Sequence, residues 1–156
     1  MRHAQAAEKQ PNQDDKDRPL NTQGMRDAAT MAHFLKKNYL IDTIISSSAL
    51  RANETGVTLR DIVQPQNGLI VTDDLYNASV RTLVEVIQSI EDSAKHVLLV
   101  GHNPFISYAA EYLTKADIGD MATAGVVHIQ FNIDRWREVS EGNGSFEIYL
   151  NPAVIE

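Results

Sequence analysis

Arg2-His3, at the start of the chain, is answered by Gly101-His102-Asn103 at the end of an apolar run. Between them, Ser46-Ser47-Ser48-Ala49-Leu50-Arg51 reads as another strand end running into a helix. Brought together, Arg2, Arg51, His3 and His102 make a small cationic pocket with one imidazole free to act as a nucleophile. The planar fork of arginine matches two oxygens of a tetrahedral oxyanion and stays charged at any working pH. An imidazole can carry a transferred group transiently and split one hard step into two easier ones. The chemistry this set suits is phosphoryl transfer. Taken singly, each piece is ordinary: a solvated terminal histidine, a Gly-His-Asn turn, a surface arginine. Asp14, Asp15 and Asp17 likewise read alone as a solvated acidic loop. Their order at strand ends makes them a set.

The elements that must position these residues alternate. Residues 8–18 are polar and read as a loop. Asn21 or Thr22 caps a helix over about Thr22–Asn38, with Met25, Ala28, Ala29, Ala32 and Leu35 on one face. A β-branched strand follows over Ile41–Ser46, then a helix over Leu50–Asp61 that stops before Pro65. Gly68–Thr72 reads as a strand, and Ser79 caps an amphipathic helix carrying Val80, Leu83, Val84 and Ile87. Val97-Leu98-Leu99-Val100 reads as a central parallel strand buried on both faces. Pro104 opens a helix with Ile106, Ala109, Ala110 and Leu113 on its apolar face. Val126–Ile133 and Phe146–Leu150 read as a closing antiparallel pair around a turn at Gly142-Asn143-Gly144. The pattern implies an α/β fold, a three-layer sandwich whose mostly parallel central sheet carries helices on both faces. In such sheets ligands bind beyond the carboxyl ends of the strands, which is where Arg51 and His102 fall.

The chain has 156 residues, 43% hydrophobic and 22% charged, which fits one domain (1–156) with a continuous core. A net charge of −7 argues against nucleic acid or an anionic membrane as partner, so a basic pocket is a local device. The absence of cysteine excludes disulfides, thiolate metal sites and a cysteine nucleophile. No apolar run is long enough to cross a bilayer, and the first residues do not read as a secretory leader. The cytoplasm is the expected compartment. The histidines lack the close spacing of a metal cluster, so no metal or other cofactor is expected.

On four segments the chain resembles the histidine phosphatase superfamily, and within it the SixA-type phosphohistidine phosphatases. They are Arg2-His3-Ala4, then Asp15-Lys16-Asp17-Arg18-Pro19-Leu20 with Gly24, then Ser47-Ser48-Ala49-Leu50-Arg51-Ala52 with Thr55, and Val100-Gly101-His102-Asn103-Pro104. The resemblance implies the phosphoglycerate mutase-like fold, with His3 as the nucleophile that becomes a transient phosphohistidine. It makes Arg2, Arg51 and His102 the holders of the phosphoryl oxygens and Arg18 a further contact at the mouth, with Asn103 and Asp15 among the substrate-binding residues. Mutase-like relatives place a proton-donating glutamate after the third strand. The comparable loop here reads Asp73-Asp74-Leu75-Tyr76-Asn77, with Asn77 near that position. Asparagine has no dissociable proton to donate, which suits a leaving group as good as the imidazole of a phosphohistidine.

The function implied is removal of a phosphoryl group from a protein histidine, such as that of a histidine phosphotransfer domain in a signalling relay. The competing readings are a phosphomonoesterase acting on a small phosphorylated substrate, and a phospho-ligand binding module without turnover. His33 and His96 are given no role, and His128, within a strand, reads as structural. Relatives carry several apolar residues before the Arg-His pair, whereas here Met1 alone precedes it. The first strand is therefore expected to be truncated as written, its reading frame extending upstream, and His3 to lack a rigid support.

Overall fold

A computed structural model describes residues 1–155. The central element is β1 (Thr43–Ser47), flanked by β2 (Leu69–Thr72) and β3 (Val97–Val100), both parallel to it. Side chains alternate across this sheet as strand geometry requires. Ile44, Leu98 and Val100 face the layer formed by α1 (Thr22–Asn38) and α2 (Leu50–Val63). Ile45, Val97 and Leu99 face the opposite layer, formed by α3 (Val80–Gln88) and α4 (Phe105–Thr114). This is the expected α/β sandwich with helices on both faces. Met31, Ile44 and Leu59 are the largest fully buried aliphatic side chains of the first layer, and each contributes about 1.5–3 kcal/mol by leaving water. β4 (Val126–Phe131) and β5 (Gly144–Leu150) form a separate antiparallel pair.

Residues 1–3 lie between β3 and the lead-in to β4. Arg2 bridges Gly101 in parallel, its N–H donating to Gly125 O at 2.9 Å, while the N–H of His3 donates to Gly101 O at 3.0 Å. Gly101 N–H in turn donates to Met1 O, and Ala124 N–H to His3 O, both at 3.0 Å. Three residues thus join the parallel sheet to the antiparallel pair, and His3 has more support than its short lead-in suggests. Beside Met1, an apolar cavity of about 590 Å³ opens among Leu98, Ile106, Ile129, Phe131 and Trp136.

Three local readings are corrected. The buried face of α1 is Gly24, Ala28, Met31, Ala32 and Leu35, with Met25 turned to solvent. The helix is rotated because Gly24 lies against the Gln5 backbone, so close that a Cβ there would stand 2.1 Å from Gln5 O. β1 starts at Thr43 rather than Ile41, because the Asp42 carboxylate accepts the N–H groups of Lys95 and His96 at 2.7 and 2.9 Å. The central strand is β1 and not β3: it lies between β2 and β3 with all five residues buried, while β3 is buried at alternate positions. Among the described residues, no helix is long and apolar enough to cross a membrane.

Candidate active site

The carboxyl ends of β1 and β3 and the extended N-terminal residues meet at one edge. There Arg2, His3, Arg18, Arg51, His102 and Asn103 line a polar pocket of about 340 Å³, with Gln5, Ala6 and Thr123. The large apolar cavity lies elsewhere and holds none of these groups. His102 follows Gly101, and its carbonyl accepts the Ile106 N–H that starts α4. Arg51 sits in the first turn of α2. Two helix N-termini therefore add partial positive charge to a pocket already rich in cations. An arginine in a first turn opposes the helix dipole, a local cost that an anionic ligand at this edge offsets.

His3 is 8% exposed and Arg51 7%, so both side chains are recessed. His3 Nδ1 lies 2.7 Å from Ala4 O. A carbonyl can only accept, so Nδ1 carries the proton and Nε2 keeps its lone pair. Arg51 Nε–H donates to that same Nε2 at 3.3 Å. Burial, with Arg51, Arg2 and Arg18 nearby and only the Ala4 hydrogen bond opposing, pushes the His3 pKa down to about 4. His102 is pushed down to about 3 by burial, then by His3 and Arg51. Both rings, 5.0 Å apart by centroid, are neutral at pH 7. His3 Nε2 thus keeps its lone pair in an electropositive setting, facing Arg51.

Ala124 has a left-handed backbone at φ 59°, and its N–H holds the His3 carbonyl. A non-glycine residue there stores strain, which the surrounding structure sustains next to His3. Ala4 N–H donates to Thr55 Oγ1 at 3.1 Å, and Thr55 Oγ1–H to Arg51 O at 2.8 Å. One buried threonine thus ties the segment bearing His3 to the helix bearing Arg51.

Asp15, at the start of a 3₁₀ turn (Asp15–Asp17), does not itself line the pocket but bonds to two arginines that do. Its Oδ2 accepts from Arg51 Nη2 and from Tyr76 Oη, each at 3.0 Å, while Oδ1 accepts from Arg18 Nη1 at 3.1 Å. The Asp15 carbonyl also accepts from Arg51 Nη1 at 2.8 Å. Burial alone would raise this carboxyl, but the bonds from Arg18, Tyr76 and Arg51 outweigh it and hold the pKa down to about 2. Asp73 is exposed and bonded to Lys16 Nζ at 2.8 Å and to Ser48 Oγ. Asn77 is exposed, on a left-handed backbone at φ 53°.

Asn103 lines the pocket, but its side chain is committed: Nδ2 donates to Met121 O at 3.0 Å and Oδ1 accepts from Ser107 Oγ at 2.6 Å. It shapes the loop opposite His3, and Arg2 Nη1 donates to the same Met121 carbonyl at 2.8 Å. Two buried nitrogens in the pocket residues have no partner among the described residues, Arg2 Nε and His102 Nδ1. Sequence reasoning gave no site role to Ser47, whose Oγ lies 2.8 Å from His102 Nε2, and read Tyr76 as packing at the pocket border rather than as a hydrogen-bond donor to Asp15. The serine run and the aromatic after Asp73-Asp74 were the available signals. His33, His96 and His128 are exposed and lie outside the pocket. Among the described residues, no three His, Asp or Glu side chains gather as a metal site would require.

The sequence profile of the histidine phosphatase superfamily (branch 1) matches residues 1–79. An uncharacterised protein of Mycobacterium tuberculosis, Rv1276c, is 32% identical over 132 residues, covering 84% of this chain and 80% of that one. The phosphohistidine phosphatase SixA of Escherichia coli is 26% identical over 159 residues, covering 100% of this chain and 94% of that one. The structure of a protein histidine phosphatase SixA complexed with tungstate superposes with a TM-score of 0.84 at 24% identity, covering 100% of this chain and 97% of that one. With the profile spanning half its length and the pocket formed by the residues that carry the resemblance, the chain belongs to the histidine phosphatase superfamily.

Proposed function

We propose that this protein is a phosphohistidine phosphatase that removes the phosphoryl group from a histidine of another protein, a histidine phosphotransfer domain being the substrate type. The observation that carries the reading is His3 Nε2, unprotonated and facing Arg51 inside the basic pocket. In the first step its lone pair attacks phosphorus as the P–N bond to the substrate imidazole breaks, leaving a phosphoramidate on His3. In the second step water attacks that phosphorus, the new P–N bond breaks, and inorganic phosphate leaves. Negative charge on the equatorial oxygens is met by Arg2, Arg18, Arg51 and His102, and such preorganised donors supply most of the catalysis in phosphoryl transfer.

The choice of a histidine over an alcohol as leaving group rests on the carboxyls. Asp15 is held ionised by its arginine and tyrosine partners, and the bonds from Lys16 and Ser48 hold Asp73 below the ordinary carboxylate value. Neither holds a proton at neutral pH for an alkoxide. A leaving imidazole carries a second nitrogen that takes its own proton before the P–N bond breaks.

The test sets a phosphohistidine protein beside p-nitrophenyl phosphate, with wild type and His3→Ala. The expected result is faster release from the phosphohistidine protein and an acid-labile phosphoenzyme that His3→Ala fails to form. Equal activity in the two proteins removes the mechanism, and a clear preference for the ester removes the substrate. Binding without turnover would leave a phospho-ligand module.

A further inference from the structure

Each serine of the Ser46-Ser47-Ser48 run has a different partner. Ser46 Oγ–H donates to Ser47 O, and Ser48 Oγ–H to Asp73. Ser47, fully buried at the end of β1, accepts the Ala49 N–H at 3.2 Å and meets His102 Nε2 at 2.8 Å. Its hydroxyl proton has no other acceptor among the described residues.

A neutral imidazole has one N–H and one lone pair, so this contact has two possible polarities. If Nε2–H donates, the Ser47 hydroxyl proton and the His102 Nδ1 lone pair are both left buried without partners. If Ser47 Oγ–H donates, the one orphan is Nδ1–H, a donor inside a pocket of cations. Buried polar groups are satisfied wherever the fold permits, so the second arrangement wins. The remaining orphan is the kind of group an incoming phosphoryl oxygen satisfies.

We infer that Ser47 is a positioning residue that holds His102 as its Nδ1–H tautomer, so that the pocket offers the phosphoryl group a neutral N–H donor there. The inference rests on the phosphatase reading for its purpose, though not for its geometry. Because Ser47 also accepts the Ala49 N–H ahead of α2, one hydroxyl ties the orientation of His102 to the helix carrying Arg51. The charge on the pocket then comes from its arginines, and the second histidine contributes direction.

Long-range ¹H–¹⁵N correlation on the ligand-free protein reads the tautomer of His102 directly and needs no substrate. The expected spectrum has Nδ1 protonated in wild type. Ser47→Ala loses that preference, and Ser47→Thr, which keeps a hydroxyl, retains it. With phosphohistidine substrate, Ser47→Ala lowers kcat by about 10- to 100-fold with KM little changed, and Ser47→Thr recovers most of it. A wild-type His102 protonated on Nε2 overturns the inference, as does a Ser47→Ala spectrum identical to wild type. Thermal melting of both variants shows whether they fold; if Ser47→Ala does not, the wild-type and Ser47→Thr spectra alone still decide. Failure to trap a phosphoenzyme on His3 in wild type overturns the phosphatase reading and leaves the tautomer result standing.

Discussion

Arg51 Nε stands 3.3 Å from His3 Nε2, while the other two nitrogens of the same guanidinium are engaged by the carbonyl and carboxylate of Asp15. Three of its five N–H donors are thus directed, one to His3 and two to Asp15, and the other two are left for an incoming oxyanion. Lysine, a point charge on a flexible stem, cannot hold these directions together. Arg51→Lys is therefore expected to lose about 10²- to 10³-fold in kcat, close to the loss from Arg51→Ala. Steady-state kinetics of the two variants check this, and a lysine variant within a few-fold of wild type would show that charge alone suffices.

Asp15 pairs with both Arg18 and Arg51, the guanidinium groups proposed to hold the phosphoryl oxygens, so it is expected to compete with substrate for them. Asp15→Asn keeps the shape of the side chain but removes the negative charge facing Arg18 and Arg51. Inorganic phosphate should inhibit this variant at several-fold lower concentration than wild type, while kcat falls because Arg51 is less well oriented. Product-inhibition constants decide the matter, and weaker phosphate binding in the variant would reverse the assigned sense of the competition.

The two histidines make the fold sensitive to mild acid. Their folded pKa values, about 4 and about 3, lie below the ordinary histidine value, so between there and about 6.5 the unfolded chain binds protons that the native protein refuses. Stability is thus expected to fall as pH drops from about 6.5 towards about 4. Asp15, depressed to about 2, has the ordinary carboxylate sign: its contribution is present above about 4 and fades only as pH approaches 2. Urea melts across this range should show the decline, shallower in a double variant with His3→Ala and His102→Ala. NMR titration of the His3 ring should give a midpoint near 4, and a midpoint near 6.5 would contradict the burial argument.

Thr55 joins two halves of the site through one hydroxyl. Thr55→Val keeps its volume but leaves the buried Ala4 N–H without an acceptor, which costs about 1–3 kcal/mol. Chemical denaturation measures the loss. Activity should fall as well, since Ala4 O orients His3 Nδ1–H, and an unchanged stability would mean that the N–H finds another partner.

How far the sequence carried the reading varies with the physics. Helix starts at Asn21 and Ser79 were legible because capping is local: Asn21 accepts Gly24 N–H, and Ser79 accepts Thr82 N–H. The rotation of α1 was not, because it depends on how closely the Gln5 backbone approaches Gly24, a contact across the chain. The strand ends bearing Arg51 and His102 were legible from apolar runs that stop at polar residues. The commitment of Asn103 to Met121 and Ser107 was hidden, since its partners lie on elements that only packing brings near.

By itself the sequence determined the chemical inventory: two histidines and two arginines in a fixed order along the chain with a third arginine, Arg18, in a loop, no cysteine, and no glutamate in the loop after the third strand of the family pattern. Side-chain chemistry and local periodicity are properties of the chain, so they survive without a structure. Only the tertiary structure decided which nitrogen of His3 is free, which hydroxyl faces His102 and which carboxylate holds Arg51. Those choices are set by distances of about 3 Å between residues far apart in sequence, and hydrogen bonds weaken too steeply with distance and angle for spacing along a chain to foretell them.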